Sequence, residues 1–400
     1  MPDYGAHDLY DRTQTSRARY GLERKKQADG KIESGLSIAA NTVQNWQLRD
    51  RMRKLHLVHM SDTQRNRVAL VTGITGQDGI LLAEFLLAKG YEVVGFGRRA
   101  SILTREDLRS LFKRIEVFHG DLGQSVDIAD AVQHYQPDEI YNLGSQSAPG
   151  LSWAQSLETA EVTAIGAHRV FEAVRRFKVD ARLYQASSSE MFGAVIESPQ
   201  SERTPFNPTN PYAASKVYAH MVAGIYRRSY GMFISCGILF NHESPLRGMR
   251  FLTQKVAYGA ACAKLGVEKS RLLNEEGEPV VQGGKLALGN LDAARDWGCA
   301  KDYVDAMWRM LQRPTPDDYV IGTGQLRKVR DLCVVAYGHV GKNWEDFVVS
   351  DPRFMRTTET GATVADPSKA ERELGWRAST SFESLIAEMV DTHVAAMIKS

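Results

Sequence analysis

The hydrophobic and polar positions follow a regular order from Arg67 onward, where short apolar runs alternate with helical patterns. The run RVALVTG ends in glycine, and GILLAEFLLAKG has the spacing of an amphipathic helix that ends at Gly90. YEVVGFGRR, IEVFHGDL, DEIYNLGSQS, ARLYQASSS and FISCGILF have the composition of further strands, and two long helical patterns separate the last three of them. This alternation predicts an α/β fold with a doubly wound parallel sheet.

The alternation weakens after about residue 243, where the pattern becomes mixed. LTQKVAYGAACAKLG and AKDYVDAMWRMLQ have helical spacing, and RLLNEEGEPVVQGGKLALGN has the pattern of two strands around the turn EEGEP. YVIGTG has the pattern of a short strand. We therefore predict a sheet domain over residues 66–243 and a smaller mixed α/β domain over residues 244–400. The chain is expected to return to the first sheet near residues 300–325.

Residues 1–65 differ in composition from the rest of the chain. They contain 12 Lys and Arg residues against 8 Asp and Glu residues, and their sparse apolar residues show no sustained period. This composition predicts a basic, flexible extension. A short helix over residues 43–60 would place Trp46, Met52 and Leu55 on one face, and an arm that binds a partner or nucleic acid is the alternative interpretation.

Composition also narrows the class of protein. The net charge of +2 argues against a dedicated nucleic-acid surface. The sequence has no apolar run of about 18 residues that would span a membrane, and its N-terminus lacks the apolar core of a signal peptide. The four cysteines lie far apart without a CxxC pair, which predicts reduced thiols and no metal site. We therefore expect a cytoplasmic protein with no nucleic-acid or membrane partner.

The first candidate site is the glycine-rich stretch VTGITGQDGILLAEFL, which joins the first predicted strand to the first helix. Gly73 permits a tight turn, Gly76 lets the backbone approach a pyrophosphate, and Gly79 lets the helix pack closely against the strand. The helix N-terminus adds free N–H groups and a positive dipole for the phosphates. In this context the glycines predict a Rossmann-type dinucleotide site.

The end of the second predicted strand indicates which dinucleotide binds. An NAD site usually has an acid there for the ribose 2′-hydroxyl, whereas arginine suits the 2′-phosphate of NADP. The chain reads GFGRR, so Arg98 and Arg99 favour NADP. HGDL after the third strand would place Asp121 near the adenine.

A second candidate site is NPYAASK, which carries Tyr212 and Lys216 at the start of a predicted helix. The spacing of four places both side chains on one helix face. A lysine ammonium favours the phenolate and is expected to lower the pKa of the tyrosine from its usual value of about 10. The pair could then remove a proton from an alcohol while hydride leaves for a nicotinamide.

Three motifs, TGITGQDG, QASSSEMFG and PYAASK, resemble the extended short-chain dehydrogenase/reductase superfamily in their order and spacing. GILFNHESPLRG, LALGNLDAARDWGCAKDYVDAMWRMLQ, SDPRFMR and DPSKAERELGW resemble the GDP-mannose 4,6-dehydratase family more narrowly. The resemblance covers about residues 67–395, and FNHESP and GNLDAARDWG are specific to that branch. It implies a nucleotide-sugar dehydratase that uses NADP and acts on GDP-mannose or a close relative.

The resemblance assigns a role to each catalytic candidate. Tyr212 would be the base for the C4 hydroxyl of the hexose, and Lys216 would tune Tyr212 and hold the nicotinamide ribose. Ser188 matches the hydroxyl that orients the sugar. Glu190 matches the base that removes the C5 proton once C4 is a ketone, after which water leaves from C6 and the hydride returns there.

The same resemblance completes the two binding sites. The predicted cofactor residues, in addition to Tyr212 and Lys216, are Gly73, Thr75, Gly76, Gln77, Asp78, Gly79, Arg98, Arg99, Asp121, Leu122, Leu143, Ser145 and Ser147. The predicted substrate residues, in addition to Ser188, are Asn241, Glu243, Lys255, Asn290, Arg295 and Arg353, with the cations facing the diphosphate. His242 is expected to be a packed histidine. The family also implies a homodimer or homotetramer, in which RRASILTREDLR would reach the neighbour's cofactor.

Several positions depart from the family pattern. They are Phe192 in SEMFG, Ala148 and Pro149 in SQSAPG, Cys299 in RDWGC, and the segment PRFMRTTET, where Glu359 could replace a lost acid. The segment before LGNLD is also longer than usual. The last two changes leave open a modified hexose or a heptose on GDP.

Two other functions remain open on sequence grounds. A nucleotide-sugar epimerase would need the tyrosine and lysine but not Glu190. A non-catalytic NADP-binding regulator on the same fold would usually lose the tyrosine or the lysine, and both are present.

Overall fold

A parallel sheet forms the centre of the computed structural model, which describes residues 66–399 apart from 104, 106–107, 275 and 356–360. The predicted extension over residues 1–65, with its short helix, lies outside the described residues, as does Glu359. The strands are, in chain order, β1 (Val68–Thr72), β2 (Glu92–Gly97), β3 (Glu116–His119), β4 (Glu139–Asn142), β5 (Arg182–Ser188), β6 (Ile234–Leu239), β7 (Asn241–Glu243), β8 (Val281–Gln282), β9 (Lys285–Leu288), β10 (Ala294–Cys299), β11 (Asp318–Ile321), β12 (Leu326–Lys328) and β13 (Val348–Ser350).

The central sheet has seven strands in the order β11-β6-β5-β4-β1-β2-β3, all paired in parallel. The chain runs outward from β1 to β3 and then returns to β4 on the other side of β1. This reversal opens a crevice at the carboxyl ends of β1 and β4, where doubly wound sheets bind ligands. Every residue of β1 is buried, because helices cover both faces of the sheet. The predicted doubly wound fold is confirmed.

Helices fill both faces of this sheet and pack beside the smaller sheets. The α-helices are α1 (Gln77–Ala88), α2 (Arg99–Leu103), α3 (Arg109–Phe112), α4 (Ser125–Tyr135), α5 (Ser156–Thr159), α6 (Gly166–Phe177), α7 (Pro211–Tyr230), α8 (Leu252–Leu265), α9 (Ala300–Leu311), α10 (Val329–His339), α11 (Ser368–Leu374) and α12 (Phe382–Lys399). A π-helical turn, Ala160–Ile165, joins α5 to α6. None of the helices in the described part of the chain combines the length and apolarity needed to cross a membrane.

The ends of α7 follow directly from its sequence. Asn210 caps the N-terminus by accepting a hydrogen bond from the backbone N–H of Ala213, and Pro211 occupies the first helical position, where its missing N–H costs nothing. Gly231 ends the helix with a φ of 64°, a left-handed conformation that favours glycine. The NPY sequence therefore fixes where α7 begins.

Two three-stranded sheets complete the second half of the chain, in the orders β12-β10-β7 and β13-β9-β8. β8 and β9 pair in antiparallel fashion around Gly283 and Gly284, a turn that the sequence analysis did not predict. The chain also reverses at EEGEP, as predicted, but isolated antiparallel bridges between Leu273 and Pro279 and between Lys269 and Gln282 flank this turn in place of regular strands. We call residues 269–282 the acidic hairpin.

Candidate active site

The glycine loop lies at the carboxyl end of β1 and begins a cleft of about 420 Å³. Gly73 has a φ of 70°, and a Cβ there would lie 3.0 Å from the backbone of Gly144 in the loop after β4. A Cβ on Gly79 would lie 2.4 Å from the Gly73 carbonyl oxygen, so only glycine lets α1 pack against this turn. The cleft therefore has the close backbone approach that a dinucleotide pyrophosphate needs.

Part of the predicted cofactor set lines this cleft. Those residues are Gly73, Thr75, Arg98, Asp121, Leu122, Ser145 and Ser147. The lining also includes Ser101, Gln146 and Arg250, which the sequence did not single out. Arg250 follows the FNHESP motif by only a few residues, so the arginines in SPLRGMRF were the feature from which the sequence could have identified it.

Several predicted cofactor residues lie outside the cleft lining. Gln77 donates to the His242 carbonyl at 3.1 Å and accepts from the Ser244 hydroxyl at 2.8 Å. The Asp78 carboxylate lies 2.9 Å from Nε2 of His242, and Leu143 packs into an apolar cluster. The side chains of Gln77 and Asp78 therefore join α1 to the β7 region, and any contact to a phosphate falls to their backbone.

The two predicted phosphate-binding arginines occupy different environments. Arg98 follows β2 directly and lines the cleft, with Nη1 4.0 Å from the Glu158 carboxylate. Arg99 begins α2, is exposed, and does not line the cleft. Of the pair, Arg98 is placed to meet a cofactor.

Tyr212 and Lys216 lie side by side near the start of α7, and both are buried. The Lys216 ammonium donates to the Ala186 carbonyl of β5 at 2.7 Å and lies 5.8 Å from the centre of the Tyr212 ring. This bond ties the helix to the strand that carries the serine cluster. Burial lowers the pKa of Lys216 to about 8.

The pKa of Tyr212 differs from the prediction. Burial raises it to about 12, and the negative charge of Glu190 acts in the same direction. The hydrogen bond with Ser188 and the positive charge of Arg247 oppose this rise without overcoming it. A buried phenol loses hydration that would stabilise its anion, so the protein alone does not supply the lowered pKa expected from Lys216.

Ser188 and Glu190 lie at the carboxyl end of β5, beside Tyr212. The Ser188 hydroxyl accepts a hydrogen bond from the backbone N–H of Glu190 at 3.2 Å, which begins the 3₁₀ turn Ser189–Phe192. The Glu190 carboxylate accepts a hydrogen bond from the Asn210 amide at 3.2 Å. The structure thus brings the four predicted catalytic residues together. It adds Asn210, which the sequence could have indicated because Asn before Pro in TNPY is typical of a helix N-cap.

The substrate candidates of the FNHESP motif differ in their surroundings. Asn241 is half-buried at the start of β7. Glu243 is buried, and its carboxylate accepts from the Thr253 hydroxyl at 2.7 Å and lies 3.1 Å from Arg247. The carboxylate of Glu243 is therefore committed to bracing the following loop, contrary to the predicted substrate contact.

Lys255 and Arg353 line a second cavity of about 210 Å³. The acidic hairpin forms part of its wall, and Arg353 lies 3.2 Å from the Glu278 carboxylate and 3.7 Å from that of Glu276. Arg353 also contacts Asp351 at 2.9 Å. This arginine is thus surrounded by carboxylates that come partly from the lengthened segment.

Asn290 and Arg295 do not line this second cavity. Asn290 follows β9, and its side-chain oxygen accepts from the backbone N–H of Asp292 at 2.9 Å. Arg295 lies in β10, where its guanidinium donates to the Ala294 carbonyl at 2.8 Å. The cavity that Lys255 and Arg353 line is therefore formed without these two residues.

Phe192 and Cys299, two of the residues that depart from the family pattern, are buried. Phe192 packs against Phe206 and Phe240 with ring centres 5.5 and 6.1 Å apart. Cys299 is the last residue of β10 and joins the apolar cluster of the second half. Both residues therefore act through packing.

In the described part of the chain, one group of potential metal ligands is formed by His220 of α7, Cys236 of β6 and Asp318 of β11. The Arg227 guanidinium already pairs with Asp318 at 2.5 Å, and the Ser187 hydroxyl bonds to Nδ1 of His220 at 2.9 Å. A guanidinium in this position opposes a metal cation, so we interpret the group as a charge-paired network.

Comparison with known proteins gives a consistent result. A family model described as GDP-mannose 4,6 dehydratase matches residues 70–389. GDP-mannose 4,6 dehydratase 1 of Arabidopsis thaliana is 44% identical over 337 residues, covering 81% of this chain and 89% of the relative.

Solved structures show the same fold at lower identity. RMD from Pseudomonas aeruginosa, complexed with NADPH, superposes with a TM-score of 0.69 at 20% identity, covering 83% of this chain and 100% of that chain. DesIV, a dTDP-glucose 4,6-dehydratase from Streptomyces venezuelae with NAD and TYD bound, gives a TM-score of 0.67 at 24% identity, covering 82% and 96%.

Proposed function

Because the chain belongs to the GDP-mannose 4,6-dehydratase family, we propose that it converts GDP-mannose to GDP-4-keto-6-deoxy-mannose. It is a nucleotide-sugar 4,6-dehydratase, a hydro-lyase that uses a nicotinamide cofactor. The observation that carries the proposal is the position of Glu190 beside Ser188 and Tyr212 at the carboxyl end of β5. An oxidation site needs the tyrosine, whereas elimination of water needs a second base.

In the oxidation step Tyr212 receives the proton of the C4 hydroxyl, which Ser188 orients by a hydrogen bond. A bound nicotinamide would supply the hydride acceptor for oxidation at C4 and the hydride donor for C6. Burial keeps the phenol neutral in the protein alone, even with Lys216 beside it, so its deprotonation needs further positive charge at the site once cofactor and substrate are bound. The lysine stays fixed by its bond to Ala186.

In the elimination step Glu190 removes the C5 proton, which the C4 ketone has made acidic. The C6 hydroxyl then leaves as water, taking the proton that Glu190 removed from C5, and a double bond forms between C5 and C6; when hydride returns to C6, C5 takes up a proton from solvent. Glu190 lies in the short turn Ser189–Phe192, and its backbone N–H donates to the Ser188 hydroxyl, so the base and the sugar-orienting hydroxyl keep a fixed relation. This fixed geometry allows Glu190 to act as the base of the elimination step, which Tyr212 does not perform.

For the cofactor we propose NADP. Arg98 follows β2 and lines the cleft, and no acid stands at that strand end to hold a ribose 2′-hydroxyl. Arginine suits a phosphate because its planar guanidinium can bind two oxygens. Ser101 lines the same part of the cleft and offers a further donor.

For the substrate, Lys255 and Arg353 are proposed to bind the diphosphate of the nucleotide sugar. We also propose a cytoplasmic location and a homodimer or homotetramer, by analogy with the family. The altered segment PRFMRTTET and the lengthened segment before LGNLD leave one alternative, in which the same chemistry acts on another GDP-linked sugar. An epimerase or a non-catalytic regulator would leave Glu190 without a role.

The test is incubation of the purified protein with GDP-mannose and catalytic NADP⁺, followed by mass spectrometry. We expect a product lighter by one water with no net build-up of NADPH. Glu190→Gln should abolish the loss of water while NADP binding persists. Unchanged GDP-mannose from a protein that binds NADP would refute this substrate.

A further inference from the structure

Asn210 contacts two parts of the active site at once. Its Oδ1 accepts from the backbone N–H of Ala213 at 2.8 Å, which caps α7 two residues before Tyr212. Its Nδ2 donates to Oε2 of Glu190 at 3.2 Å. One side chain therefore links the helix that carries the oxidation base to the turn that carries the elimination base.

The backbone donor settles the orientation of this amide. A backbone N–H can only donate, so the atom facing Ala213 is the oxygen, and the NH₂ group faces Glu190. Serine or aspartate could supply the cap equally well. Neither would place an amide donor on the carboxylate.

We propose that Asn210 is a positioning residue for the elimination step, holding the Glu190 carboxylate in the rotamer that reaches the C5 proton. This inference rests on the proposed function. Glu190 is only half-buried, so its side chain has other rotamers available unless a partner selects one. Its backbone N–H is fixed by Ser188, and the Asn210 amide fixes its other end. A base held in this way loses less freedom on reaching the transition state.

The inference predicts an effect on one step only. Asn210→Asp keeps the cap but replaces the donor with a second carboxylate, which repels Glu190. We expect water loss to slow by about 10-fold to 100-fold, whereas oxidation at C4 by Tyr212 continues. Asn210→Ser keeps the cap without added charge, but its side chain is too short to span the distance that the amide covers. We expect it to slow water loss by about 3-fold to 10-fold.

The experiment compares the full-length wild type, Asn210→Asp and Asn210→Ser, each loaded with NADP and mixed with GDP-mannose. Absorbance of reduced cofactor reports oxidation, product mass reports water loss, and deuterium uptake at C5 from heavy water reports Glu190. In both variants reduced cofactor should accumulate on the enzyme, and deuterium uptake should fall with water loss. Thermal unfolding confirms that each variant is folded.

Two outcomes would overturn this inference while leaving the proposed function intact. One is Asn210→Asp losing water at the wild-type rate. The other is an equal fall in oxidation and water loss, which would mean that Asn210 acts only by placing the start of α7. If Asn210→Asp does not fold, the comparison of oxidation with water loss in Asn210→Ser tests the inference. A wild type that releases no water overturns the proposed function and this inference with it.

Discussion

At the scale of single residues, Arg98 and Arg99 are adjacent in sequence but differ in position. Arg98 lines the cofactor cleft, whereas Arg99 is exposed outside it. We expect Arg98→Asp to weaken NADP binding by about 10-fold to 100-fold, because it removes a charge-assisted contact to the 2′-phosphate. NAD binding should change little. Fluorescence titration with both cofactors measures this, and Arg99→Asp is the matched control. Equal losses from the two variants would contradict the assignment.

A second residue-scale feature is the pair formed by Asp78 and His242. Burial would raise the pKa of Asp78, but the charge of His242 and its hydrogen bond lower it to about 2. Burial would lower the pKa of His242, but the charge and hydrogen bond of Asp78 raise it overall. The imidazole also stacks on Tyr303, with ring centres 4.6 Å apart. The pair therefore joins the glycine loop to β7 as an ion pair.

Asp78→Asn should reduce the free energy of unfolding by about 3 kcal/mol, because it leaves a largely buried imidazolium without its counter-charge. The contribution of the pair is complete above pH 3.8 and below pH 6.5, the ordinary pKa values of its members. It declines as pH falls toward 2 or rises through the raised pKa of His242.

Urea unfolding of wild type and variant, from below pH 3.8 to well above pH 6.5, measures the difference. Asp391→Asn is the matched control, since it breaks a histidine pair of the same length, 2.9 Å, that is more exposed. The control substitution should lower the free energy of unfolding far less than Asp78→Asn does. A loss for Asp78→Asn that does not vary with pH would exclude the ion pair as its cause.

The individual residues also show what could be predicted from the sequence. Tyr212, Lys216 and the serine cluster were found because helix spacing and strand ends bring local motifs together. Asp78 was assigned to the cofactor because its long-range partner, His242, is far away in the chain. The raised pKa of Tyr212 was missed because it depends on burial, which is set by packing.

At the scale of elements, the acidic hairpin is the feature that most changes the substrate half. Asn274 organises its tip, where its side-chain oxygen accepts from the backbone N–H groups of Glu276 and Glu278 at 3.0 and 2.9 Å. The two glutamates thereby point toward Arg353. They compete with a diphosphate for the same guanidinium.

Glu276→Gln combined with Glu278→Gln should therefore tighten GDP binding, by about 3-fold to 10-fold for partly exposed charges. Isothermal titration with GDP measures the effect. Glu268→Gln removes one charge just before the hairpin and is expected to leave binding unchanged. Unchanged or weaker binding by the double variant would mean that Arg353 does not meet the diphosphate.

The elements differ in how far sequence predicts them. α7 was predictable because its cap, proline and closing glycine are all local signals. The turn at EEGEP was predictable because glycine and proline cluster there, whereas the second turn, at Gly283 and Gly284, was not predicted. The chain turns at both sites, and β9, which follows the second turn, pairs with β13, a distant partner that local signals do not show.

At the scale of the whole molecule, the two predicted domains, divided at residue 243, share part of one hydrophobic core. β11 pairs with β6 in the central sheet although it comes from the second half. One apolar cluster contains Val71 and Leu82 together with Tyr303, Met307 and Trp376. The second half also has a core of its own, built from α8, α10 and α12. Residues from both sides of the proposed boundary therefore stabilise the sheet that carries the cofactor cleft.

This shared core predicts that residues 66–399 unfold in a single transition, because loss of α9 and β11 would expose the core under β1. NADP at about 100 times its dissociation constant should stabilise the folded state by about 2.7 kcal/mol and raise the midpoint of that whole transition. Differential scanning calorimetry with NADP, with GDP and without ligand measures this. Two resolved transitions, with NADP moving one and GDP the other, would show instead that the halves are independent domains divided near residue 243.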